Sequence, residues 1–198
     1  MRTRIAAAAA RLMAEDGIED YAAAKRKAAR SLGATDTHAL PGNDETEAAL
    51  RSYQALYQPD EQRDRINAMR GIALEVMEMF APFRPYLSGS VLKGTAGRFA
   101  DIDLQIFPES HKEVELYLLN HGIEYKPGHQ RHYCGDEPRD VSVVRFEWDE
   151  TPIALAIYAP RDERSSLKTT AAGRPIERAG IAAVRALVSA ADSDAAKS

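Results

Sequence analysis

The sequence predicts an α+β protein, a small mixed β-sheet with helices on one face, preceded by an N-terminal helical region. Three observations carry that prediction. The first 80 residues place their apolar side chains at helical spacing and contain no alternating run. Residues 101–107, Asp-Ile-Asp-Leu-Gln-Ile-Phe, alternate with the period of two that belongs to a half-buried strand. Further strand-like runs follow at Ile123 to Lys126, Val141 to Trp148 and Pro152 to Tyr158, with helical patterns before and after them.

Taken in order, residues 3–16 set Ile5, Ala9, Leu12 and Met13 on one stripe and stop at Gly17. Asp20 caps a second helix that runs to Leu32, with Gly33 as its stop. One side of this helix carries Tyr21, Ala24, Ala28 and Leu32, and the other carries Lys25, Arg26, Lys27 and Arg30. That basic face is a candidate nucleic-acid contact, weighed against a plain solvated surface. The next ten residues, 34–43, read as a loop broken by Pro41-Gly42, so no recognition helix follows as a DNA-binding helix pair would need. Asp44 with Glu47 forms a capping box for a third helix reaching Pro59. A fourth, from about Asp60 to Phe80, presents Ile66, Met69, Ile72, Val76 and Phe80, and Pro82 and Pro85 end it. After the alternating strand, Pro108-Glu-Ser-His opens a helix that Gly122 closes, and a last helix spans Glu177 to Ala190. Asp149-Glu150 makes a two-residue turn and therefore an antiparallel hairpin. The expected organisation is a helical region over 1–80, a second domain over 81–192 and a frayed tail over 193–198.

Composition narrows the function classes. A net charge of -4 over 198 residues excludes a chain-wide electrostatic grip on nucleic acid but leaves room for a local patch. A single cysteine, Cys134, allows no internal disulfide and fits a reducing compartment, and no apolar run approaches a membrane span. The expectation is a cytoplasmic protein with no membrane partner.

The chemistry concentrates in residues 88–107. A Gly89-Ser90 turn follows an apolar approach, and small residues there let backbone N–H groups come close to a phosphate. Alternation puts Asp101 and Asp103 on one strand face and Ile102, Leu104 and Ile106 on the other. Two carboxylates that close repel each other, so a cation between them keeps both ionised. Mg2+, held by one or two carboxylates together with substrate phosphates, suits such a pair.

Gly89-Ser90, Gly94-Thr95 and Asp101-Ile-Asp103-Leu resemble the signature of the polymerase-β-like nucleotidyltransferase superfamily over about twenty residues, Tyr86 to Phe107. The resemblance implies the nucleotidyltransferase fold over 81–192 and transfer of a nucleoside monophosphate from a triphosphate, ATP, to an acceptor hydroxyl that the sequence does not name, on an RNA, a protein or a small molecule. Mg2+ or Mn2+ would sit on Asp101 and Asp103, with Gly89 and Ser90 at the phosphates; Lys93 and Arg98 are further candidate phosphate contacts by position only. The family also has a third carboxylate on a later strand. The equivalent strand here, Pro152 to Tyr158, has none, and Ala154 or Ala156 stands in its place. With Asp149-Glu150 as the turn, Arg145 falls opposite Ala154, a candidate nucleotide contact whose cation could bind a phosphate or replace a metal's charge, and Glu147 on the same face is the one nearby substitute acid. The alternative implied by this departure is a catalytically inactive member that binds a nucleotide, an RNA or a protein as a regulator. His132 and Cys134 share a strand face but lack further ligands for zinc.

Overall fold

The computed structural model describes residues 1–18, 20–34, 40–57, 59–170 and 173–195. They form an α+β fold divided into two compact units, Met1–Ile66 with Gly94–Ala100, and Asn67–Lys93 with the residues from Asp101 onward.

The first unit contains α1 (Arg2–Asp16), α2 (Tyr21–Ser31), α3 (Asn43–Tyr57) and residues 59–66 of α4 (Pro59–Met79). Alanine lets these helices approach closely: Ile5, Ala9, Ala10 and Met13 of α1 pack with Ala24 and Ala28 of α2 and Leu50 of α3. The Asp20 side chain accepts the Ala22 N–H at 2.8 Å and caps α2. The third helix starts one residue ahead of the expected cap at Asp44, and it is Glu45 that reaches back to the Gly42 N–H at 2.6 Å. Most of the loop expected over 34–43 falls on residues 35–39, outside the described residues. Two buried amides hold the segment 94–100 in this unit. Gln62 Nε2 donates to Ala96 O at 2.9 Å, and Gln54 Nε2 to Thr95 O at 3.3 Å.

The second unit is built on a seven-stranded mixed sheet: β1 (Tyr86–Ser88), β2 (Ile102–Ile106), β3 (Lys126–Cys134), β4 (Glu137–Trp148), β5 (Thr151–Ile157), β6 (Leu167–Lys168) and β7 (Arg178–Gly180). Their order is β6-β3-β4-β5-β2-β1-β7, antiparallel throughout except for the parallel pair β2–β5. Ile102, Leu104 and Ile106 turn to one face with Ile153 and Leu155, all buried. On that side Phe80, at the end of α4, meets Phe146 of β4 and Tyr117 of α6 (His111–Asn120), with ring centroids 6.0 and 5.2 Å away. The opposite face holds a second apolar cluster of Phe107, Val141, Val143, Ala154, Ala156, Tyr158 and Leu167.

Three expected elements are corrected. Ile123–Tyr125 is not strand; β3 begins at Lys126 and continues through polar residues to Cys134. Arg178–Gly180 is a strand rather than the start of the last helix, since its backbone pairs with β1. That helix, α7 (Ile181–Ala195), includes residues 193–195 of the expected tail, while 196–198 lie outside the described residues. Among the described residues no helix is long and apolar enough to cross a membrane.

Candidate functional site

The site begins where β1 hands the chain to α5 (Gly89–Lys93). Gly89 has φ 71, a left-handed backbone that side chains resist, and it is also hemmed in. A Cβ there would overlap Asp103 Oδ2 and lie 3.0 Å from Asp103 Cγ. The turn and the carboxylate are therefore built against each other. Behind them the buried Ser88 donates its hydroxyl to Asp103 O at 3.3 Å.

Register then sets one row of side chains across six strands. Arg178 pairs with Ser88, Ser88 with Asp103, Asp103 with Ala154, Ala154 with Arg145, and Arg145 with Lys126. Directly paired residues share a face, and neighbouring strands stand about 4.8 Å apart. The hairpin β4–β5 has the expected two-residue turn, with Asp149 at φ 48 and Glu150 at φ 58, which gives Arg145 its place opposite Ala154. The methyl of Ala154 is buried, 7% exposed, between an acid on one side and a guanidinium on the other. Arg145 leans toward β3, where its Nη1 lies 2.9 Å from the point a Cβ on Gly128 would occupy.

Asp101 immediately precedes β2 and is half-buried, whereas Glu147 is exposed and pairs with Pro152. Asp101, Arg145 and Glu147 line a single cleft of about 730 Å³. Among the described residues no three His, Cys, Asp or Glu side chains converge on a point that would hold a metal ion. Asp101, Asp103 and Glu147 thus do not form a three-acid centre. Ser90 and Lys93 are half-buried at the two ends of the short helix that Gly89 opens.

Arg98 belongs to the first unit and is exposed. The basic face of α2 is partly engaged within its own unit. Lys25 Nζ donates to Asn43 Oδ1 at 2.7 Å and Pro41 O at 3.1 Å, and Lys27 Nζ to Asp16 Oδ2 at 2.9 Å. Partial burial lowers the Lys25 pKa. Arg26 and Arg30 stay exposed. His132 is occupied too. Its Nδ1 is 2.5 Å from the Tyr158 hydroxyl, burial holds its pKa below the ordinary value, and burial pushes the Tyr158 hydroxyl well up.

Sequence reasoning assigned no role to Lys126, Trp148 or Tyr125, which line the same cleft. The signal for Lys126 was the turn Gly135-Asp136, which pairs Cys134 with Glu137 and so carries Lys126 to Arg145. No protein-family model, curated protein or solved structure matches the chain.

Proposed function

We propose that the second unit binds a nucleoside triphosphate with Mg2+ at the corner formed by Gly89, Ser90, Asp101 and Asp103, and does not transfer a nucleotide. It would act as a regulator whose nucleotide-bound state recognises an RNA or a protein. The observation that carries this reading is the row Asp103, Ala154, Arg145. A two-metal transfer needs carboxylates enough to hold both ions and to activate the attacking hydroxyl. A methyl and then a guanidinium follow Asp103 instead.

One ion is a smaller demand. Mg2+ is commonly held by one or two carboxylates plus the phosphates it accompanies, and Asp101 and Asp103 suit that arrangement. Mn2+ has the same oxygen preference. The tight fit of Gly89 against Asp103 supports it, because the bare backbone lets the acid lie directly against the turn that would hold the phosphates. The bound ion would supply positive charge that keeps the acids and phosphates from repelling. Ser90 offers a hydroxyl to a phosphate oxygen, and Lys93 a positive charge at the far end of α5.

The test is calorimetry with ATP and Mg2+, beside an assay for label transfer from triphosphates into cell extract. The expected result is binding that EDTA or Asp101→Asn/Asp103→Asn removes, with no transfer. Equal binding by wild type and the double variant would sink the metal site. Transfer abolished by Glu147→Gln would instead make Glu147 the third acid, a reading favoured only by the cleft it shares with Asp101.

A further inference from the structure

The cleft lies where β3 stops. Lys126 is its first paired residue, opposite Arg145, while β4 runs on through Phe146, Glu147 and Trp148 without a β3 partner. Residues 121–125 line the cleft along with this stretch. Alternation sends Arg145 and Glu147 to one face and Phe146 and Trp148 to the other, and the cleft where β3 begins is lined by both sets, with Phe146 itself buried.

Two features of that space point to a ligand. Lys126 and Arg145 are directly paired across the strands, both exposed, and among the described residues neither has a carboxylate or hydrogen-bond partner. Like charges set opposite each other destabilise a sheet, and an anion between them removes the repulsion. The same cleft also contains Asp101, Glu124 and Glu147, so a bare anion would meet three acids. A ligand that carries hydroxyl or amino donors beside its anionic group satisfies both sets. Trp148 adds an aromatic wall, and about 730 Å³ is the size of a small-molecule site.

We propose that this cleft binds a nucleoside monophosphate, its phosphate on Lys126 and Arg145, its hydroxyl and amino groups toward the carboxylates, and its base against Trp148. The site shares Asp101 with the corner described above but requires neither Mg2+ nor a triphosphate.

Trp148 is the only tryptophan in the chain, so its fluorescence reports on the cleft directly. The experiment is titration of the full chain with AMP in EDTA, read by Trp148 emission and by calorimetry, with ribose 5-phosphate and adenosine as comparison ligands. AMP is expected to change the emission saturably and to bind at least ~tenfold more tightly than either fragment. Arg145→Ala and Lys126→Thr are each expected to weaken AMP by at least ~tenfold and to leave adenosine unchanged. Without ligand, Lys126→Thr should melt no lower than wild type, which shows that it folds. No saturable response to AMP, or equal AMP affinity in wild type and both variants, overturns the proposal. AMP binding in EDTA without any ATP binding in Mg2+ sinks the triphosphate reading alone, and the converse sinks this one alone.

Discussion

The Oδ2 atom of Asp103 occupies the space in which a side chain on Gly89 would begin. The two residues are fourteen apart in sequence and sit on different elements, yet a side chain at position 89 would require Asp103 to move. Gly89→Ala meets two obstacles, a backbone at φ 71 and the carboxylate itself. It should destabilise the second unit by roughly 1–3 kcal/mol, measured by urea denaturation. Asp103→Ala relieves the second obstacle only. The double variant should therefore lose less than the sum of the single ones, and strict additivity would show that the contact has no energetic weight.

Ala154 invites the opposite experiment. Ala154→Asp introduces a carboxylate, at a nearly buried position, between Asp103 and Arg145. The added acid should raise Mg2+ affinity in calorimetry, while the neighbouring guanidinium opposes a second metal, so no label transfer should appear. Transfer restored by this single change would show that Arg145 is no obstacle.

A third prediction concerns pH. Burial holds the His132 pKa below its ordinary value near 6.5, and its Nδ1 shares a hydrogen bond with the Tyr158 hydroxyl, which burial keeps protonated. Below pH 6.5 the unfolded chain takes up a proton that the folded imidazole still refuses. This group's contribution is complete above that pH, declines as the pH falls, and levels off once the folded ring is protonated. Melting temperatures from pH 7.5 to 5 should drop less steeply in His132→Gln than in wild type. Parallel slopes would remove His132 as a source of pH dependence.

How far the sequence reaches is set by the physics of each element. The hairpin β4–β5 was legible because Asp149-Glu150 leaves two residues between strands, which fixes every pair from Trp148 back to Ser142. From that register alone followed Arg145 opposite Ala154, the central feature of the site. The helix α2 was legible through its Asp20 cap and α4 through its apolar spacing. The strand β3 was not. Over most of its length it is an edge, largely exposed from Lys126 to Arg131, so no buried face imposes alternation, whereas Ile123 and Tyr125 imitate a strand from a loop. The short strands β6 and β7 hold two and three residues, too few for any periodicity to register. The cleft went unread for the same reason, since it exists only because β3 starts at Lys126.

The distribution of residues 94–100 bears on how the chain is made. These seven residues belong with the N-terminal helices, tied there by Gln54 and Gln62, but they are synthesised after Asn67–Lys93, which belongs to the second unit. During vectorial synthesis the first unit therefore cannot complete its hydrogen bonds until Ala100 has emerged. By then a stretch of the second has already left the ribosome without its sheet partners. At the several residues per second of translation, α1 to α3 and the start of α4 wait without the partners of Gln54 and Gln62, a window in which a chaperone or a protease meets an unfinished protein rather than a finished first domain.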